Sequence, residues 1–469
     1  MGREWPSHGI RDLHHYRHFF ITLVIFKMKQ YDLNMKLKYG NTSFDLDLRP
    51  DKISVVIQSP ASDHCVADPQ KIIASAIEGC SERFASFRPG ERVVIVTSDI
   101  TRYTGSELYL PFLVEKLNSV GIQDEDIEIL IALGIHRKQT AQEHEKMLGP
   151  IYGRIRVIDH DCDDRDGFIN LGRISGGIDV EVNRRVVDAD RLILTGSIGY
   201  HYFAGFGGGR KSILPGVASR KSCMASHFAV LNPGEGTGKN PLAITGNLEG
   251  NPVHQAMMDA CAMVKPDLLL NTVVTPEKKV VAVFMGDWQK AHYDGCRYYA
   301  ERFSVPIQEK ADLVIVSCGG FPKDINFIQA HKSMEYGSRA LREGGVMILL
   351  AQCRDGYGHP GFFKWFRFGT LEEFESELRK NYEINGQTAY SAMQKCKRFR
   401  IILVSDLPQN EVNSMGITPA GSLVEAIELA EAILGKDYSC HVIPEGGAVL
   451  PVILPRLSGF SKLAARTKR

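Results

Sequence analysis

Short apolar runs of strand length alternate with segments of helical period through most of this chain, and that alternation restricts the fold more than any other feature. From Met35, "KLKYGNTSFDLDL" reads as an opening hairpin turned at Gly40-Asn41. "ADPQKIIASAIEGC" starts a helix with Asp68 as N-cap and Pro69 in the first helical position. "RVVIVTSD" is a buried strand, followed by a helix from Ser106 to Val120 that Gly121 closes. "DIEILIALGIHR", "RIRVIDHD" and "RLILTGSIG" continue the strands, and Thr140-x-x-Glu143 is a capping box.

A second series begins near residue 311: "ADLVIVSCGGFP", a helix from about Asn326, "GGVMILLAQC", a helix near 371 to 380, "FRIILVSDLP", and a helix from Ser422 to Leu434. Between the two series, "NLEGNPVHQAMMDACAMV" is helical and "DLLLNTVVTPEKKVVAVFMGD" is a hairpin turned at Pro276-Glu277. The pattern predicts the α/β class, as two α/β domains with mainly parallel sheets and an active-site cleft between them. The expected boundaries are an N-terminal extension over 1–34, one domain over 35–305, a second over 306–445, and a tail over 446–469.

With 44% hydrophobic and 24% charged residues, the chain can bury cores without staples. Its net charge of +1 carries no electrostatic footprint for nucleic acid or an anionic membrane, so a small molecule is the expected partner. Ten scattered cysteines without a CxxC pair read as reduced thiols in a cytoplasmic protein. "RHFFITLVIFKMK" places a short apolar run after basic residues without a small-residue cleavage site, so residues 1–34 are expected to be a non-native or mis-started extension rather than a signal.

Chemistry is expected just past the carboxyl ends of strands. "VTSDITR" delivers Asp99 and Arg102 there, "ALGIHR" delivers His136, and "TGSIGYH" delivers His201 directly before "FAGFGGGRKS". Each alone has a plainer reading, as a helix cap or a hydrogen-bonded structural histidine, but three at one sheet edge make a site. The glycine-rich loop invites comparison with a phosphate-binding loop, yet Arg210 stands where the Walker pattern needs glycine and GxGxxG also fails there. Lys211 could instead bond covalently to a cofactor. His227, sixteen positions on, belongs to no multi-histidine motif, so any metal it binds must find most of its ligands elsewhere. "DHDCDD" at 159–164 looks metal-like but reads as a solvated acidic turn.

Together, "SDITR", "GIHR", "GYHYFAGFGGGRKSILPG", His227 and "INFIQAHKSME" resemble the nickel-dependent lactate racemase family, in order and spacing, from about Lys36 to the C-terminus. The resemblance implies a nickel-pincer nucleotide, covalently attached at Lys211, with His227 as the protein's nickel ligand. It implies His136 and His201 as the acid/base pair and the cofactor-contacting segment Asp99, Ile100, Thr101 and Arg102. Gln329, Lys332 and Arg102 would hold the substrate. The implied reaction is racemisation or epimerisation of a 2-hydroxy acid by reversible proton-coupled hydride transfer, with cofactor-making enzymes as partners. Ile100 and Tyr103 depart from the family's lactate enzymes, which tend to carry histidine and proline there; this leaves room for a larger hydroxy acid. Two rival readings stand beside it: a nucleotide-dependent phosphotransferase or ATPase using the glycine loop, and a non-catalytic carrier of the nickel cofactor.

Overall fold

The computed structural model describes residues 35–58, 68–275 and 277–454. The extension over 1–34, most of the tail and the turn residue Pro276 lie outside the described residues.

The chain opens with the antiparallel pair β1 (Lys36–Tyr39) and β2 (Thr42–Asp45), turned at Gly40 and Asn41, then forms β3 (Ile53–Val56). The helix Pro69–Glu78 follows, with the Asp68 side chain accepting from the Gln70 amide. Strands β4 (Val93–Ser98), β5 (Ile127–Ala132) and β6 (Arg156–Asp159) alternate with the helices Ser106–Ser119 and Ala141–Leu148, the second opened by the Thr140–Glu143 capping box. A hairpin, β7 (Phe168–Arg173) and β8 (Asp179–Asn183), precedes β9 (Arg191–Ile198). Next come a two-residue pair, β10 (Tyr200–His201) and β11 (Gly205–Phe206), the helices Arg220–Phe228 and Pro252–Val264, and the hairpin β12 (Leu268–Val274) and β13 (Val280–Gly286). After the helix Trp288–Phe303 come β14 (Ser304–Ile307), β15 (Ala311–Ser317), β16 (Leu341–Leu350), β17 (Arg400–Val404), β18 (Thr418–Ala420), β19 (Cys440–Ile443) and β20 (Leu450–Ile453).

The first sheet has the order β13-β12-β9-β4-β5-β6, parallel except for β13 at one edge. One face is covered by the helices Pro69–Glu78 and Ser106–Ser119 around Ile73, Tyr109, Leu113 and Ile129. The other is covered by the segment after the glycine loop and the helix Pro252–Val264, around Leu194, Ile213, Val217 and Ala260. The second sheet, β18-β17-β16-β15-β19-β3, is parallel throughout and likewise packed on both sides. Two α/β units with mainly parallel sheets are therefore the architecture, as the alternation predicts.

The expected boundaries need two corrections. Strand β3 is the edge of the second sheet, paired with β19, and Leu37 and Leu46 sit in that unit's core. The second unit therefore takes its first and last strands from opposite ends of the sequence, a pairing no local pattern can announce. At the other end, residues 450–453 are not tail: β20 pairs in parallel with β14. The sequence pattern also leaves several elements unannounced, among them the β7–β8 hairpin, the helices Trp288–Phe303 and Ile384–Arg398, and the short strands β14 and β18 to β20.

Candidate active site at the edge of the first sheet

Strands β9, β4 and β5 are neighbours in the first sheet and parallel, so their carboxyl ends open at one place. β4 runs directly into Asp99, which is buried. One carboxylate oxygen, Oδ1, accepts from the Thr101 amide (2.9 Å) and hydroxyl (2.5 Å), while Oδ2 faces His136 Nδ1 at 2.5 Å. Burial pushes the Asp99 carboxyl upward, but the hydrogen bonds from His136 and Thr101 and the charge of Arg102 outweigh it and leave the group ionised below the usual carboxylate range. An ionised carboxylate only accepts, so His136 carries its proton on Nδ1 and presents Nε2 as the free nitrogen. The Ile100 amide donates to the Gln139 side chain and the Arg102 amide to the Asp99 carbonyl, which fixes the turn that exposes the Thr101 and Arg102 side chains.

Just past β5 stands Gly134, whose positive φ of 55° turns the chain and whose amide donates to the Gly216 carbonyl at 2.8 Å. That bond ties the His136 loop to the segment just past Lys211. β9 passes through Gly199 into β10, where His201 pairs with Gly205. The glycine loop then folds back under its own strand. A Cβ on Gly196 of β9 would lie 2.5 Å from the Gly209 nitrogen, and Gly208 has φ 103°. The Gly209 amide donates to Asn271 Oδ1 on β12 at 2.7 Å, and the Ser212 hydroxyl to the Thr195 carbonyl at 3.0 Å. These glycines serve close backbone approach within the protein.

The fold brings the remaining candidates to this edge. His201 is held well below the ordinary histidine range, first by burial and then by the positive charges of Lys211 and Arg102, with His227 and Lys332 adding to them. Lys211 is half-buried, and its amine is pushed well down by burial, Arg102 and Arg210. His227, on the helix Arg220–Phe228, is 9% exposed and donates Nδ1–H to the Cys223 carbonyl at 2.9 Å, which leaves the Nε2 lone pair unprotonated. Its pKa is lowered to about 4, chiefly by burial and, against the Cys223 bond, by Lys211, Arg102 and His136. From the second unit, the helix Phe327–Gly337 supplies Gln329 and Lys332, joined by an Nζ–H donated to Gln329 Oε1 at 2.7 Å. The Lys332 ammonium reaches solvent at the cleft mouth, yet the surrounding protein and Arg102 lower it to about 8. Arg102 and Lys332 thus bring positive charge up to His201 and Lys211, an arrangement suited to an anionic ligand.

A cavity of about 250 Å³ opens beside this helix, lined by Gln329, Lys332, Lys323, Thr275, Tyr299 and Phe303 among others; His136, His201, Lys211 and His227 are not among its lining residues. The "DHDCDD" stretch is an acidic turn over its second half, with Asp163 and Asp164 exposed as expected, but its first half is not solvated. His160 is buried and bonded through Nε2 to the Ala218 carbonyl, and Asp159 accepts from His144 Nε2 and the Gln139 amide. Among the described residues, no three potential metal ligands cluster anywhere. The residue that sequence reading valued least is Arg210. Read only as an obstruction to a phosphate cradle, it is fully buried, and loop carbonyls converge on its guanidinium.

Comparison with known proteins agrees with this architecture. Residues 39–238 match the lactate racemase N-terminal domain, and residues 307–451 match the lactate racemase C-terminal domain. The chain belongs to the lactate racemase family. It is 34% identical over 428 residues to the lactate racemase of Thermoanaerobacterium thermosaccharolyticum, a match covering 89% of this chain and 99% of that one. It is also 34% identical over 374 residues to the lactate racemase of Lactiplantibacillus plantarum, covering 77% and 85% respectively. The solved lactate racemase apoprotein from T. thermosaccharolyticum superposes with a TM-score of 0.80 at 33% identity, covering 89% of this chain and all of that one. A Thermotoga maritima protein of known structure shares the fold, with a TM-score of 0.60 at 21% identity. For a member of this family, no described helix is long and apolar enough to cross a membrane.

Proposed function

We propose that the protein is a racemase or epimerase of a 2-hydroxy acid, lactate or a larger relative, working in the cytoplasm with a nickel-pincer nucleotide joined to Lys211. The observation that carries this reading is the meeting of Lys211, His201, His227, Arg102 and Lys332 at three adjacent strand ends, beside a histidine oriented by Asp99. The residues present fit the group. Lys211 offers a desolvated amine able to react as the free base, and His227 offers an Nε2 whose lone pair is fixed by the Nδ1 bond to a carbonyl. A single imidazole without companion ligands suits a metal whose other donors come with an organic cofactor.

When bound, the cofactor supplies reversible acceptance of the hydrogen and electron pair from carbon 2 of the substrate. The chain's own residues do the rest. His136 and His201 exchange the hydroxyl proton, one on each side, because the two enantiomers present their hydroxyls in different directions. Asp99 holds the His136 ring in the tautomer with Nε2 free and steadies the imidazolium that forms. Arg102 and Lys332 bind the carboxylate, and Gln329 holds the Lys332 ammonium in place. Ile100 packs on the first unit's core, and the Tyr103 hydroxyl donates to Glu107 at 2.6 Å, so this segment is shaped by aliphatic and aromatic bulk. That bulk supports a substrate search beyond lactate.

The test is a chirality screen of 2-deuterated hydroxy acids with protein loaded by the cofactor-making enzymes. Inverted product retaining its carbon-bound deuterium is expected, and exchange of that deuterium with solvent would overturn the mechanism. Lys211→Ala should lose the added cofactor mass in intact-protein spectrometry; an unchanged mass would remove the lysine from the scheme.

A further inference from the structure

We propose that Arg210 is a positioning residue for Lys211: an internal cation that shapes the glycine loop and is itself aimed by His254. Its guanidinium is fully buried, and no described carboxylate is paired with it. Nη1 donates to the Gly207 carbonyl at 2.8 Å and the Phe206 carbonyl at 3.2 Å, Nη2 donates to the Ala204 carbonyl at 3.2 Å and the Phe206 carbonyl at 3.3 Å, and Nε donates to His254 Nδ1 at 3.1 Å. Three carbonyls converge on this cation from the four residues Ala204 to Gly207. They turn inward because the planar fork meets them, a geometry a lysine ammonium cannot reproduce.

Burying a charge without a counter-charge is unfavourable, so such a residue persists where its hydrogen bonds set something the protein needs. Lys211 is the next residue, and the inference rests on its role as the cofactor's attachment point. The Lys211 amide donates to the Gly208 carbonyl and the Gly216 amide to the Lys211 carbonyl, so the lysine's backbone is continuous with the loop that Arg210 holds. The aim of Arg210 has its own support. His254 accepts on Nδ1 and therefore donates Nε2–H to the Tyr293 hydroxyl at 3.2 Å, and Tyr293 is 41% exposed. The His254 ring stacks on His292 with centroids 5.9 Å apart, and a Cβ on Gly208 would lie 3.0 Å from His292 Nδ1. The loop thus lies on a floor of two neutral imidazoles, linked through His254 to the surface at Tyr293. Burial and the Arg210 charge lower His254 to about 3, so it accepts from Arg210 across the physiological range.

The experiment uses the full-length apoprotein and two readouts: hydrogen exchange of the amides 205–211, and acylation of Lys211 by an N-hydroxysuccinimide ester, measured by peptide mass spectrometry relative to exposed Lys265. Arg210→Met and His254→Leu should speed loop exchange about tenfold, the scale expected for losing one or two hydrogen bonds. They should also change the Lys211-to-Lys265 acylation ratio by about fivefold or more, with exchange in β15 to β17 unchanged. His254→Gln, which keeps an acceptor, should return both readouts to within about twofold of the parent. If Arg210→Met does not fold, the histidine pair answers alone, because it leaves the guanidinium in place. The proposal is overturned if His254→Leu leaves both readouts at the parent values, or if His254→Gln behaves like His254→Leu. The intact mass of Lys211→Ala holoprotein tests the attachment role separately, so failure of one idea is not mistaken for failure of the other.

Discussion

Replacing Asp99 by asparagine should damage the enzyme more than removing the side chain altogether. The carboxylate's two oxygens have different duties: Oδ1 accepts from the amide and hydroxyl of Thr101, and Oδ2 faces Nδ1 of His136. In Asp99→Asn the single remaining oxygen is claimed by Thr101, because the opposite orientation would set the new NH₂ against the Thr101 N–H and strand that donor, at about 1–3 kcal/mol. The NH₂ then faces His136 Nδ1 and demands a lone pair there, which moves the ring proton to Nε2 and removes the base. The same 1–3 kcal/mol limits the correct tautomer to a fraction of roughly one-fifth to one-hundredth. Loss of the charge-assisted bond to the imidazolium adds about 1.5–3 kcal/mol. Together they predict a fall in kcat/KM of about 10²–10⁴. The fall is equal in both directions, since enantiomers have an equilibrium constant of unity. Asp99→Ala imposes no tautomer and should retain more activity than Asp99→Asn. Chiral chromatography of timed reactions, with nickel content and folding checked for each variant, measures the order. An asparagine variant within threefold of the parent, or more active than the alanine variant, would refute the tautomer argument.

His227→Ala should bind less nickel by elemental analysis while Lys211 keeps its covalent mass; undiminished nickel would remove His227 as the ligand. Gly196→Ala places a Cβ 2.5 Å from the Gly209 nitrogen and should cost about 1–3 kcal/mol or more in denaturant unfolding, with a neutral result showing that the loop does not lie against β9 as described. Acid should destabilise the apoprotein through its buried histidines. His331 is lowered to about 3, chiefly by burial, so the unfolded chain takes up the proton first as pH falls below about 6.5, and stability drops from there. Between pH 6.5 and 5 this single group accounts for about 2 kcal/mol. His331→Gln should be less acid-sensitive by that amount; an identical pH slope would contradict it.

The site was more legible than the chain's wiring. Asp99, His136 and His201 sit where apolar strands run out into polar residues, a local signal that survives without neighbours in space. Strand β3 was not legible as part of the second sheet because its partner β19 is nearly four hundred residues away. The helix Ile384–Arg398 escaped notice because it buries Gln387, Thr388 and Ser391 along with its apolar residues, so its inward face lacks the expected hydrophobic period. Arg210 was visible as an exception to a phosphate-loop pattern, but nothing local reveals that a charged side chain turns inward to serve carbonyls. The pairing of Asp99 with His136 needed the sheet order, which puts β4 next to β5.

The return of the chain's start to the second sheet has a mechanical consequence. The polypeptide leaves that lobe between residues 58 and 68 and re-enters it between Phe303 and β15, so two covalent links join the lobes. A body held at two points pivots about the line through them and cannot swivel freely. Hydrogen bonds between the lobes, from the Tyr336 hydroxyl to the Tyr200 carbonyl at 3.3 Å and between the Tyr202 and Thr388 hydroxyls at 3.1 Å, restrain even that pivot, so the helix bearing Gln329 and Lys332 keeps a fixed seat beside His201.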